Sequence, residues 1–72
     1  MKRRRLVKTY TVMIEDEAGT PLSQSMITVR DADRAREIAS RLLAEDRTAS
    51  AAVIFERGQP MGRLTKAEMG FG

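Results

Sequence analysis

The sequence predicts a small α+β protein, a two-layer ββαββ domain in which a four-stranded antiparallel sheet carries one helix packed on one face. Two segments with the alternation typical of strand hairpins flank one segment with the periodicity of an amphipathic helix. The length of 72 residues allows one domain. Because a chain this short buries only about 60% of the surface that its unfolded form exposes, we expect a thin core.

The first strand is predicted over Leu6–Glu15. Tyr10, Val12 and Ile14 recur at every second position, between threonines and a methionine. Aromatic and β-branched residues favour a pleated surface, and a spacing of two places side chains on one face of a strand. We therefore expect these three side chains to share a face and Tyr10 to pack in the core.

Segment 15–21 is polar and is expected to form the loop of the first hairpin. It contains Gly19, which adopts positive φ readily, and Pro21, which cannot donate a hydrogen bond to a sheet. The chain is expected to return as a second strand over Leu22–Val29. The alternation within this strand does not decide which face Ile27 occupies.

The helix is predicted over Ala32–Glu45. Asp31 suits the N-cap position because its carboxylate accepts backbone N–H groups of the first turn, and Asp33 adds negative charge at the positive end of the helix dipole. Apolar residues at i, i+3, i+4 and i+7 form one stripe that can cover a sheet. The members of the stripe are Ala35, Ile38, Ala39 and Leu42, widened by Leu43.

A second hairpin is predicted after the helix. Ala51–Glu56 is a short apolar run with β-branched and aromatic residues, which favours a strand. Segment 57–59 is a turn signal, and Pro60 is tolerated only at a strand start or at a sheet edge. Met61–Leu64 would form the fourth strand, and the capping-box spacing of residues 65–68 predicts one closing helical turn.

The residue inventory argues against catalysis. The chain has no His, no Cys and no Trp, so it lacks disulfides, the usual zinc ligands and the usual proton shuttle. Its hydroxyl groups have no imidazole to activate them, and its glycines do not follow a nucleotide-binding spacing. We expect a protein that is not an enzyme, that uses no cofactor or metal, and whose acidic segment 15–17 is a solvated turn.

Residues 1–5 are predicted to be a basic flexible tail, residues 6–69 the folded domain, and residues 70–72 a frayed C-terminus. From position 6 onward the chain has nine basic and ten acidic residues, a net charge of −1, so its basicity resides in the tail. No apolar run is long enough to span a bilayer, and the N-terminal segment lacks the apolar region of a signal peptide. A cytoplasmic location without membrane contact is therefore expected.

The second face of the predicted sheet is the candidate partner surface, because one helix covers one face only. Both faces of the third strand are apolar, and Phe55 is expected in the core together with Met26 or Met61, since methionine fills core gaps. The residues predicted to line the partner surface are Thr9, Thr11, Met13, Ala52 and Ile54.

Three segments carry a resemblance to a group of known proteins. The acidic hairpin Glu15–Gly19, the helix opening Asp31–Ala35 and the closing Gly62-Arg63-Leu64 resemble small uncharacterised bacterial proteins with a ββαββ layout. The similarity covers most of the chain. Such proteins carry no assigned activity, so the resemblance implies the fold and no function or site residue.

Two functional hypotheses from different classes follow. The first is a small non-catalytic protein-interaction module of the adaptor, effector or inhibitor type, which forms a homodimer or binds a protein partner through an open sheet face or strand edge. The second is a nucleic-acid-associated protein whose basic residues contact phosphates with an affinity that falls as salt rises. The residues of this second hypothesis are Lys2, Arg3, Arg4, Arg5 and Lys8.

Overall fold

The protein is described by a computed structural model that covers residues 7–68. The four strands form one antiparallel sheet in the order β2-β1-β3-β4. The predicted α+β class and the ββαββ order are therefore confirmed. The predicted tail at 1–5 and the C-terminal residues 70–72 lie outside the described residues. The elements are β1 (Lys8–Glu15), β2 (Pro21–Val29), α1 (Ala32–Glu45), β3 (Ala51–Glu56) and β4 (Gln59–Thr65).

Most element boundaries agree with the sequence analysis. The helix and β3 have the predicted bounds, and β2 starts at Pro21 instead of Leu22. β4 is longer than predicted and includes Pro60, which is tolerated because β4 is an edge strand. After β4, residues 66–68 form a turn in place of the predicted helical turn, and the Glu68 N–H donates to Thr65 Oγ1 at 3.1 Å.

Aspartate side chains organise both ends of α1. Asp31 is the N-cap, and its Oδ1 accepts the backbone N–H of Arg34 at 2.9 Å, as the sequence predicts. At the other end the Asp46 N–H donates to the carbonyl of Leu43. The Asp46 carboxylate accepts the hydroxyl of Thr48 at 2.9 Å and its N–H at 3.0 Å. These two hydrogen bonds hold the pKa of Asp46 below its usual value.

The core lies between α1 and one face of the sheet. The helix contributes three buried side chains, Ala35, Ala39 and Leu43. Two of them are alanines, which allow the helix axis to approach the sheet closely. The strand side chains that complete the core come from β1 and β3, and Tyr10 is among them as predicted. They are Tyr10, Val12, Ile14, Ala52 and Ile54.

The prediction that Ala52 and Ile54 line the open face is wrong. In the antiparallel register these residues lie opposite Ile14 and Val12, and all four belong to the core under the helix. A shift of one residue in register exchanges the two faces of a strand. Because both faces of β3 are apolar, the sequence alone does not fix this choice, and the pairing with β1 does.

The expectation that Met26 or Met61 fills the core is also wrong. Met26 lies in β2 and is 72% exposed, and Met61 lies in β4 and is 49% exposed. Ile27 is the β2 residue that lies opposite Tyr10 and packs against the core. Because neighbouring residues of a strand point to opposite faces, Met26 points away from the helix.

The β3–β4 hairpin turns on two residues with positive φ. Arg57 has φ 54° and Gly58 has φ 79°, and they connect the paired residues Glu56 and Gln59. This is the geometry of a type I′ turn, for which Asn-Gly is strongly preferred. Gly58 adopts positive φ readily, whereas Arg57 has a backbone conformation that most L-residues avoid.

We expect Arg57→Asn to raise the free energy of unfolding by about 0.5–1 kcal/mol, because asparagine tolerates positive φ better than arginine. Urea unfolding followed by circular dichroism measures this change. Arg47→Asn is the matched control, since Arg47 is also exposed in a turn but has no positive φ. A destabilised Arg57→Asn variant would contradict the assigned turn geometry.

Candidate functional site: the open face of the sheet

The open face is the side of the sheet that points away from α1, the only helix among residues 7–68. The strand registers arrange its side chains in rows that run across the sheet from β2 to β4. One row consists of Met26, Thr11, Phe55 and Pro60, and the adjacent row consists of Gln24, Met13, Val53 and Arg63.

The structure places three of the five predicted partner-surface residues on the open face. In β3 the face receives Val53 and Phe55, which alternate with the core residues of that strand. The expectation that Phe55 packs in the core is therefore wrong. Neither Val53 nor Phe55 was predicted on this face, because their face depends on the register between β1 and β3. The three predicted residues that lie on the open face are Thr9, Thr11 and Met13.

An ion pair crosses the open face above β3. Arg63 Nη1 of β4 lies 3.1 Å from Glu15 Oε1 of β1, and β3 runs between these two strands. The register places Glu15 opposite Ala51 and Arg63 opposite Val53. Ala51 and Val53 are buried although neither belongs to the core under the helix. We attribute their burial to cover by the ion pair and its neighbours.

The two members of this ion pair differ in their environment. The side chain of Glu15 is 12% exposed and that of Arg63 is 56% exposed. A carboxylate that has lost most of its contact with water requires a charged or hydrogen-bonding partner. Among the described strand residues, the register places no other charge on the open face. The face as a whole is therefore electrically neutral.

Both edge strands carry exposed apolar side chains on the open face. Met26 of β2 is the most exposed large apolar side chain of residues 7–68, and Leu22 of β2 and Met61 of β4, on the same face by alternation, are also exposed. Thr11, Met13 and Phe55 beside them are half-buried. Gln24 lies between Leu22 and Met26 on this face of β2. Exposed apolar surface marks interaction sites, and methionine adapts to varied partners.

Two acidic residues at the first hairpin, Glu15 and Asp16, have structural roles. Asp16 Oδ1 accepts the backbone N–H groups of Ala18 and Thr20, each at 2.9 Å, and so shapes the β1–β2 loop. Glu15 is engaged by arginine. Within residues 7–68, no three acidic side chains converge as ligands of a metal ion.

Only one of the five residues predicted to contact nucleic acid is described by the structure. Lys8 is exposed at the start of β1, opposite Val29 of β2. It lies on the helix side of the sheet, because it alternates with Thr9 of the open face. The other four residues, Lys2, Arg3, Arg4 and Arg5, lie outside the described residues.

Comparisons of the chain with protein-family models, with curated proteins and with solved structures gave no match. In the described part of the chain, no helix has both the length and the apolar character that crossing a membrane requires.

We expect Arg63→Ala to lower the free energy of unfolding by about 1–2 kcal/mol, because it leaves the desolvated Glu15 carboxylate without its partner and uncovers Val53. Urea unfolding measures the loss. Arg34→Ala is the matched control: Arg34 pairs with Glu37 at 2.7 Å, but both side chains are largely exposed. Its effect should stay below about 0.5 kcal/mol. Equal losses in the two variants would refute the covering role of the Glu15–Arg63 pair.

Proposed function

We propose that this chain is a small non-catalytic protein-interaction module that self-associates through the open face or a strand edge of its sheet. The observation that carries the proposal is the exposed apolar surface at the β2 side of the open face, where Met26 is 72% exposed. Met26 shares a neutral face with Leu22 and Phe55, and a neutral face suits contact with another apolar surface better than contact with a charged ligand.

The size of the chain supports association. A core built from one helix and one sheet face is thin, and the 72-residue chain has no Cys for a disulfide staple. Removing apolar surface from water contributes about 25 cal/mol per Å², so a contact over the open face adds stability that the monomer lacks. Association that favours the folded state also raises its apparent stability with concentration.

The residue inventory supports a non-catalytic role. The chain has no His or Cys, and the described acidic loop and ion pair are occupied by structural contacts. A hydroxyl nucleophile requires a nearby base. The described serines and threonines include Ser40, whose hydroxyl donates to the carbonyl of Glu37, and Thr48, whose hydroxyl donates to Asp46.

Light scattering over a range of concentrations tests self-association. We expect the mass to rise from the 8.1 kDa of one chain towards twice that value. Met26→Lys should raise the dissociation constant at least about tenfold, because it places a solvated charge in the apolar surface. Met61→Lys makes the same change on the opposite edge strand: an effect below about threefold assigns the contact to the β2 side, and an equal effect assigns it to the whole open face. A monomer at every concentration would contradict the proposed self-association.

A second candidate function rests on the segregation of charge. The four basic residues of segment 2–5 give the chain its net charge of +3, whereas the remainder is slightly acidic. A run of basic residues attached to a neutral or acidic domain is suited to contact phosphates without reading a sequence. In this alternative the tail anchors the protein on nucleic acid and the sheet keeps its association role.

Replacing Lys2, Arg3, Arg4 and Arg5 by glutamine tests the alternative in gel-shift titrations at two salt concentrations. If the tail contacts phosphates, the variant should lose most of its affinity, and the slope of log affinity against log salt should fall by about 3–4. Replacement keeps the chain length, and Arg34→Gln with Arg36→Gln on α1 is the control for a loss of positive charge elsewhere. Absence of any shift of the wild-type protein at low salt would eliminate this function.

A further inference from the structure

We infer that β2 is the pairing edge of a two-fold symmetric dimer, in which β2 of one copy hydrogen bonds antiparallel to β2 of a second copy. The two four-stranded sheets then join into one continuous eight-stranded sheet. This inference rests on the self-association proposed above and specifies which edge makes the contact. The occupant of the edge is a second copy of this chain.

The two edges of the sheet differ in how they are protected. Edge strands in soluble proteins are shielded from unwanted pairing by prolines, bulges and charged side chains. β4 has all three: Pro60, an irregular register between Ile54 and Phe55 of the neighbouring strand, and Arg63. These features make β4 a poor template for another strand.

β2 has almost none of this protection. It is the longest strand of the sheet, with nine residues, and it contains no charged residue. Its proline is Pro21, the first residue, and the irregularity in its pairing with β1 is confined to the same end. The segment 22–29 therefore presents an uninterrupted, uncharged row of backbone N–H and C=O groups on its outer side.

The composition of β2 favours a second copy as the occupant. An edge without charge exerts no attraction on a charged partner strand, and two copies of it meet without repulsion between like charges. The open face of β2 also carries the exposed Met26 and Leu22, next to the seam where the two copies would pair. Pairing of two copies places Met26 of both copies beside the seam and removes part of its apolar surface from water.

The pleat of the strand restricts the register of this pairing. A two-fold axis perpendicular to the sheet keeps both helices on the same side, and paired residues must point to the same face. The axis therefore passes between one residue and the same residue of the second copy. This residue pairs with its own copy, and the others pair symmetrically about it. Centring the axis on Ser25 is the register that pairs all nine residues of β2. Gln24 then lies opposite Met26 of the second copy, and Leu22 lies opposite Thr28 of the second copy.

The expected interface is small but specific. Nine paired residues span about 30 Å and form about eight to ten backbone hydrogen bonds. An interface of this size is at the lower end of stable protein contacts, so we expect a dimer that dissociates on dilution. The joined open faces form one surface, with Met26 of each copy near its centre.

Single-cysteine variants test the inference, because the chain has no Cys of its own. Ser25→Cys places two thiols at the axis, where the distance of about 4.5–5.5 Å between paired Cα atoms permits a disulfide. Gln24→Cys, joined by a bismaleimide that spans about 8 Å, is a second variant that does not depend on disulfide geometry. Met61→Cys on β4 is the matched control. Non-reducing gels after mild oxidation or bismaleimide treatment give the readout, and light scattering gives the mass of each untreated variant.

Cross-linked dimer from Ser25→Cys or Gln24→Cys, with little from Met61→Cys and none in urea, supports the inference. A dimer by light scattering that cross-links through Met61→Cys and not through β2 overturns the β2 edge while self-association stands. A dimer that cross-links at none of the three positions also overturns the β2 edge while self-association stands, and it indicates contact through the open faces. A monomer at every concentration overturns both the inference and the proposed self-association.

Discussion

The structure depends on how much of a four-stranded sheet one helix can cover. A helix of 14 residues is about 21 Å long and about 10 Å wide, whereas four strands span about 19 Å across the sheet. α1 therefore packs on the central strands β1 and β3, and β2 contributes only partly buried side chains such as Ile27 and Val29. One face is closed in this way, and the second face and both edges require other means of protection from water and from unwanted pairing.

The protein protects the two halves of the sheet differently. On the β4 side, the Glu15–Arg63 ion pair lies across β3 and covers Ala51 and Val53, and Pro60 and an irregular register interrupt the outer edge. On the β2 side no charge or internal proline intervenes. The asymmetry leaves the most exposed apolar side chain, Met26, on the edge strand that has the less interrupted row of backbone groups.

The same asymmetry explains why association, and not chemistry, is the function proposed for this chain. Four of its acidic side chains, Asp16, Asp31, Asp46 and Glu15, serve the loop, the helix ends and the ion pair. Among the described residues, exposed apolar side chains and the outer main-chain groups of β2 are available for contact. A contact made of backbone hydrogen bonds and methionine side chains is neutral, so it does not compete with the separate positive charge of segment 2–5.

The sequence by itself determined the elements of this fold and three residues of its open face. Helix bounds, the Asp31 cap and the alternation of β1 are local properties, because they depend on hydrogen bonds and side-chain spacing within a few residues. The tertiary structure alone decided the strand order and the face of each β3 side chain, and with them the exchange of Ala52 and Ile54 for Val53 and Phe55. The reason is that β3 is apolar on both faces. Which of its side chains face the helix follows from pairing with β1, a strand almost forty residues away, and no local sequence pattern predicts that pairing.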